Sequence, residues 1–227
     1  MNHTIPTPLD DRKLAAYIKG AYAKGKLRMV HEIAEEGSAS WLWLTDGSTV
    51  FQVYPLSIYP KAHTALLEIC VKTQSKLPEP GEEWSTSSYV SPTAGALVAK
   101  GGPDSLTVAM GRFTNVSRET TQATVDTRLG LTDEDQTAHI FAGEAGLLAV
   151  NKDYTDLQGT YSEEWRTSQH EVSGTALLLF AQGYDRPVAL IMQLKLPQTW
   201  EAIFAPILAA LAPKVPTEEA TKEEIAA

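Results

Sequence analysis

Two stretches of this chain repeat one another. Residues 82–110 (EEWSTSSYVSPTAGALVAKGGPDSLTVAM) and 163–192 (EEWRTSQHEVSGTALLLFAQGYDRPVALIM) both begin Glu-Glu-Trp-x-Thr-Ser. Val90/Val172, Ser91/Ser173, Thr93/Thr175, Ala94/Ala176, Gly101/Gly183 and Met110/Met192 then recur at one spacing of about 82 residues, once a single inserted residue is allowed for. The second copy reads as three strands, 164–171, 175–182 and 187–195. The last two are joined by a hairpin-turn composition at Gly183-Tyr184-Asp185. Fixed-period self-similarity that keeps its turn glycine predicts two copies of one β-rich unit. The expected class is α+β: two tandem units, residues 1–112 and 113–197, each with antiparallel sheets and one or two helices packed on one face. A C-terminal helix over 198–212 and a charged, disordered tail over 213–227 complete the expectation.

The first unit opens with a helix. Asp10 or Asp11 suits its N-cap and Gly25 its stop, with the helix running to about Lys24. At 100° per residue Leu14, Ile18, Ala21 and Tyr22 share one face, while Arg12, Lys13, Lys19 and Lys24 fall opposite. No carboxylate stands at i,i+4 to offset those cations, which sets this helix apart from an ordinary solvated one. The local charge matters because the chain as a whole is acidic, at −9. Residues 1–30 carry six Lys/Arg against two Asp, and the remainder thirteen against twenty-six. A basic face on an acidic body is predicted, and the net charge argues against a protein that coats nucleic acid over its whole surface.

Strands are expected over 27–34, 40–46 and 48–54, the last two around an Asp46-Gly47 turn. A second helix is expected over 60–72 with Leu66, Leu67 and Ile69 inward, then strands over 86–90, 94–100 and 105–112. Residues 117–129 suit either a helix capped by Ser117 or a strand, given their Thr and Val content. A hairpin over 138–142 and 146–150 leads to a short helix capped by Asn151. Residues 198–211 read as an apolar helix interrupted by Pro206. Trp41, Trp43 and Phe51 are read as sheet and core residues rather than a platform for bases.

Catalytic constellations are missing from the pattern: no Gly-x-Ser-x-Gly elbow, phosphate loop or His-x-x-x-His pair occurs. Asp133, Glu134 and Asp135 lack calcium-loop spacing and read as a solvated loop. The single cysteine, Cys70, follows an apolar run and reads as a buried structural thiol. The expectation is a non-enzyme with no cofactor and no metal. No run reaches the roughly 18 to 20 apolar residues that span a bilayer, and the start MNHTIPTPLDD has no apolar signal core, so no membrane partner and a cytoplasmic location are expected.

The order helix, strands, helix, strands, taken in tandem, resembles the DNA polymerase sliding clamps, the bacterial β clamp and its phage relatives. Asn151-Lys152-Asp153-Tyr154-Thr155-Asp156-Leu157 looks like the family's Asn-x-x-Tyr-Leu helix start. Residues 187–194, PVALIMQL, are similar to its final strand ending Met-Pro-x-Arg-Leu, with Gln193 in place of the proline. Leu42-Trp43-Leu44-Thr45-Asp46-Gly47 looks like its strand ending Thr-Asp. The likeness touches about half the chain through short motifs, and the helix after Pro197 departs from it. The resemblance implies a processivity factor that encircles duplex DNA without reading bases. Its DNA-facing cations would be Arg12, Lys13, Lys19, Lys24, Lys26 and Lys61, with Arg118, Arg128 and Lys152 from the second unit. It also implies polymerase or other replication proteins as partners, docking near Met192 and Leu194, and a head-to-tail homotrimer to close a six-domain ring. The peptide-like run from Gln193 to Pro197 lies in an expected strand and reads as alternation. The competing expectation is a non-enzymatic β-rich phage or bacterial adaptor that binds a partner through the C-terminal helix.

Overall fold

A computed structural model describes residues 7–32, 41–86, 97–98, 116–133, 136–143, 146–159, 162–170, 174–182, 186–194 and 206. Two helices, α1 (Asp11–Ala23) and α2 (Pro60–Thr73), lie against one face of a nine-stranded antiparallel sheet. Its strands are β1 (Arg28–His31), β2 (Leu42–Thr45), β3 (Thr49–Gln52), β4 (Glu83–Ser85), β5 (Leu97–Val98), β6 (Gln122–Ala123), β10 (Ser162–His170), β11 (Gly174–Ala181) and β12 (Ala189–Met192), in the spatial order β5-β4-β1-β2-β3-β12-β11-β10-β6. A second sheet holds β7 (Val125–Asp133), β8 (Gln136–Gly143) and β9 (Gly146–Asn151), followed by the short helix α3 (Lys152–Thr155). The architecture is mixed α+β, mostly antiparallel, with few helices. No helix among the described residues is long and apolar enough to cross a membrane.

Both faces of the large sheet are buried, which explains the unbroken apolar run of β11. Leu177, Leu179 and Ala181 point to the helices, together with Leu42, Leu44, Phe51 and Ile191. Ala176, Leu178 and Phe180 point the other way, with Val30, Trp43, Val50 and Leu190. A strand buried on both faces has no polar positions to alternate with. Trp43 and Phe51 are therefore core residues, and Cys70 is buried on α2.

The repeated motif takes equivalent places. Trp84 on β4 lies opposite Leu97, and Trp165 on β10 lies opposite Leu179, each leucine displaced from the other by the repeat spacing. Both indoles sit in the core on the helix side and both are satisfied: Trp84 Nε1 donates to Ser75 Oγ at 3.0 Å, Trp165 Nε1 to Gln158 Oε1 at 2.9 Å.

Several elements differ from expectation. Leu67 faces outward, 46% exposed, because α2 turns Ala62, Ala65, Leu66, Ile69 and Cys70 inward. A strand lies at Glu83–Ser85, where it pairs with β1, while the strand expected over 86–90 lies outside the described residues apart from Thr86. Residues 117–129 form a 3-10 turn and strands rather than a helix, so the strand preference of Thr and Val prevails. At Thr124 the chain passes from one sheet to the other, and its N–H and hydroxyl both bond Trp165 O. The strand expected over 105–112 and the tail over 213–227 lie outside the described residues. So does the helix over 198–212, apart from Pro206.

Candidate nucleic-acid interface

The position of α1 is fixed from both ends. Asp10 Oδ1 accepts from Lys13 N at 2.9 Å as its N-cap. Gly25 ends it at φ +65°, where a side chain would be strained, and Lys26 N returns to Ala21 O at 2.9 Å. Leu14, Ile18 and Ala21 enter the core. The first residue of α1 also caps its neighbour: Asp11 Oδ2 accepts from Lys61 N at 3.0 Å and Oδ1 from Ala62 N at 2.9 Å. Tyr59, at the N-cap of α2, does not cap that helix with its side chain, and Asp11 supplies the acceptor and the negative charge that a helix start favours.

Arg12, Lys13, Lys19, Lys24, Lys26 and Lys61 are all solvent-exposed. Two are engaged. Lys19 pairs with Glu68 of α2 at 2.9 Å, which holds the Glu68 carboxyl below its usual range, and Lys13 Nζ donates to Asp156 O at 2.8 Å. The acid that balances Lys19 thus comes from another helix, where an i,i+4 search could not find it. Among the described residues Arg12, Lys24, Lys26 and Lys61 have no ion-pair partner.

The three cations of the second half differ in their surroundings. Lys152 pairs with Asp156 at 2.5 Å across α3. Arg128 is exposed on β7 at φ +58°. Arg118 lies over the Phe180 ring at 5.1 Å and bonds Glu164 Oε1 at 3.2 Å and Ala181 O at 3.4 Å. Phe180 belongs to the sheet face turned away from α1 and α2, so Arg118 stands on the far side from the α1 cations. Met192 packs on that same far face, whereas Leu194 packs on the three-stranded sheet.

Between α1, the β2–β3 turn and α3 runs a cleft of about 360 Å³ that includes Lys13, Gly20, Lys24, Lys26, Asp46 and Asp153. Its floor is a polar network that the sequence did not announce. Asp46 Oδ1 accepts from Ser48 N and Thr49 N, while Oδ2 accepts from Tyr154 Oη at 2.7 Å. Tyr17 Oη lies 2.9 Å from Thr49 Oγ1. Burial, then the Asp46 carboxylate, pushes the Tyr17 phenol well above its ordinary range; burial, then the Asp46 hydrogen bond, does the same to Tyr154.

A second unannounced arrangement links an acid, an imidazole and a hydroxyl. His139 Nε2 lies 2.7 Å from Asp126 Oδ1, and Nδ1 lies 3.0 Å from Thr155 Oγ1. Thr155 is buried and its hydroxyl is 2.9 Å from Lys152 O, so the chain of bonds ties β7 and β8 to α3. Among the described residues no group of three His, Cys, Asp or Glu could hold a metal ion. No protein-family model, curated protein or solved structure matches this chain.

Proposed function

We propose that this chain is a sliding-clamp-like processivity factor that holds duplex DNA against its helical layer without reading sequence. The observation that carries this reading is the outer side of α1. Arg12, Lys24 and Lys26 extend into solvent with no ion-pair partner among the described residues, and Lys61 stands on the neighbouring helix. Cations without carboxylate partners are free to displace counterions from phosphates, and this contact is indifferent to base sequence. Further support comes from the equivalent ladder positions of Trp84 and Trp165, which fit two tandem units over 1–112 and 113–197. In this reading Lys13, Lys19 and Lys152 add to the positive field while tied to the protein, and Arg118 stays outside the DNA path. Polymerase peptides would dock near Met192 and Leu194, and three copies head to tail would close the ring.

The test is retention on DNA of different topology. The protein is loaded on nicked circular and on linear duplex of equal length, then challenged with salt. Retention on the circle alone, with a solution mass near three times 24.7 kDa, supports the reading. A monomer released equally from both would overturn it and favour the adaptor.

A further inference from the structure

We infer that the cleft between α1 and α3 binds a nucleoside monophosphate whose base carries an amino group. Its volume of about 360 Å³ falls within the roughly 300–1,000 Å³ of small-molecule sites. The charges on its walls are sorted: the lysines come from α1 and the turn after it, the aspartates from the β2–β3 turn and α3. Lys24 and Lys26 stand where α1 ends, and neither has an ion-pair partner among the described residues. Asp153, exposed on α3, has none there either. The other charged groups of the lining are already engaged. Lys13 Nζ donates to Asp156 O, Asp156 pairs with Lys152, and Asp46 accepts from the Tyr154 hydroxyl and from two backbone N–H groups. Two cations and one carboxylate are left for an occupant.

Between those charges the α1 wall is nearly bare. Lys13, Ala16, Tyr17, Gly20 and Lys24 follow at intervals of three and four, which puts them on one side of the helix. Tyr17 reaches in to Thr49, so only the methyl of Ala16 and the backbone of Gly20 remain on the surface between the lysines. An added Cβ at Gly20 would meet nothing within 4 Å. Glycine inside a helix is less favourable than alanine, and no neighbour in the fold requires it here. A side chain at that position would occupy the cleft. The bare wall takes a sugar and a flat ring. A phosphomonoester carries about −1.5 to −2 at pH 7, a charge that Lys24 and Lys26 balance together. Asp153 accepts from an amino group on the ring and repels a carbonyl in the same place. The site shares its two lysines with the proposed DNA contact but does not rest on that reading, because the ligand binds with no DNA present.

The test is calorimetric titration of the full chain, without DNA, with CMP, UMP and inorganic phosphate. CMP and UMP differ at one ring position, an amino group in the first and a carbonyl in the second. CMP is expected to bind one to one and at least about tenfold more tightly than UMP or phosphate, the effect of one hydrogen bond to a charged group. Asp153→Asn should remove the preference for CMP over UMP, since an amide can serve either base. Gly20→Leu should weaken CMP at least about tenfold without lowering the melting temperature, because leucine is the better helix former. Failure of CMP to bind saturably, or phosphate binding as tightly as CMP, would overturn the inference. So would equal affinities for CMP and UMP in the parent, or undiminished CMP binding by the leucine variant. Loss of retention on circular duplex with CMP binding intact would instead overturn the clamp reading alone.

Discussion

Trp84 stands directly opposite Leu97 across the β4–β5 ladder, and the same relationship recurs between Trp165 and Leu179 across β10–β11. Each indole fills the core beneath the helices and has its N–H bonded. Trp84→Ala and Trp165→Ala are each expected to lower unfolding free energy by about 3–5 kcal/mol, the range for truncating a large buried aromatic. Urea denaturation measures both. A loss below about 1 kcal/mol at either position would show that its indole is not a core anchor.

The strands of residues 162–192 were the most legible part of the fold, because strand and turn composition are local signals. The termini of α1 were legible too: Asp10 and Gly25 have local reasons to be where they are. What the sequence hid was contact between distant residues. Asp11 capping α2, Glu68 reaching Lys19 and Tyr154 reaching Asp46 leave no local signature. Leu67 was misplaced for a related reason. Its apolar neighbours suggest burial, but the helix phase set by Ala62, Ala65, Leu66 and Ile69 turns it outward.

The Asp11 contact can be weighed directly. Asp11→Ala removes both acceptors from the first turn of α2 and the charge that suits a helix start. Stability is expected to fall by about 1–2 kcal/mol, as for loss of an N-cap. Asp10→Ala, at the start of α1, should cost a similar amount. If Asp11→Ala matched the parent in thermal unfolding, capping between the helices would contribute nothing.

Tyr17 and Tyr154 bring a dependence on alkaline pH. Their phenols are held protonated above the ordinary value of 10, chiefly by burial and next by Asp46. In the unfolded chain they ionise normally. Their contribution is therefore intact below about pH 10 and is lost as pH rises past it, since the unfolded state then releases protons that the folded state keeps. The urea midpoint should drop as pH rises above about 10, and Tyr154→Phe should make that drop shallower. At neutral pH the same variant is expected to cost about 1–3 kcal/mol, because Asp46 loses a donor. A parallel pH profile for the variant would remove Tyr154 from the account.

Gly159 packs against the entering chain. Its N–H bonds Pro8 O at 2.8 Å, and an added Cβ would lie 2.1 Å from Thr7 O and 2.8 Å from the Leu9 backbone. Those neighbours are main chain and cannot rotate aside. Gly159→Ala should cost about 3 kcal/mol, at the upper end of overpacking, and should loosen residues 7–9 in hydrogen exchange. Unchanged protection there would mean that the approach is less tight than these distances.

The cationic face makes a quantitative claim as well. Replacing Arg12, Lys24 and Lys26 together by Ala removes three side chains that have no ion-pair partner among the described residues. If each meets a phosphate, the slope of log affinity against log salt should fall by about 3 × 0.9. Thermal stability should barely move, since exposed charges contribute little to folding. An unaltered slope, measured by fluorescence anisotropy on duplex DNA, would place the DNA contact elsewhere or nowhere.

The position of β12 has a consequence for synthesis. Residues 189–191 pair with 49–51, so a strand made late lies between β3 and β11 near the middle of the sheet. Until it leaves the ribosome, β3 presents an open edge of unpaired N–H and C=O groups beside a growing apolar surface. Until β12 is made, the sheet of the first half is incomplete and its β3 edge is open to mispairing. A ribosome that stalls after β11 but before β12 would leave a product that is mostly complete by length yet open at the centre.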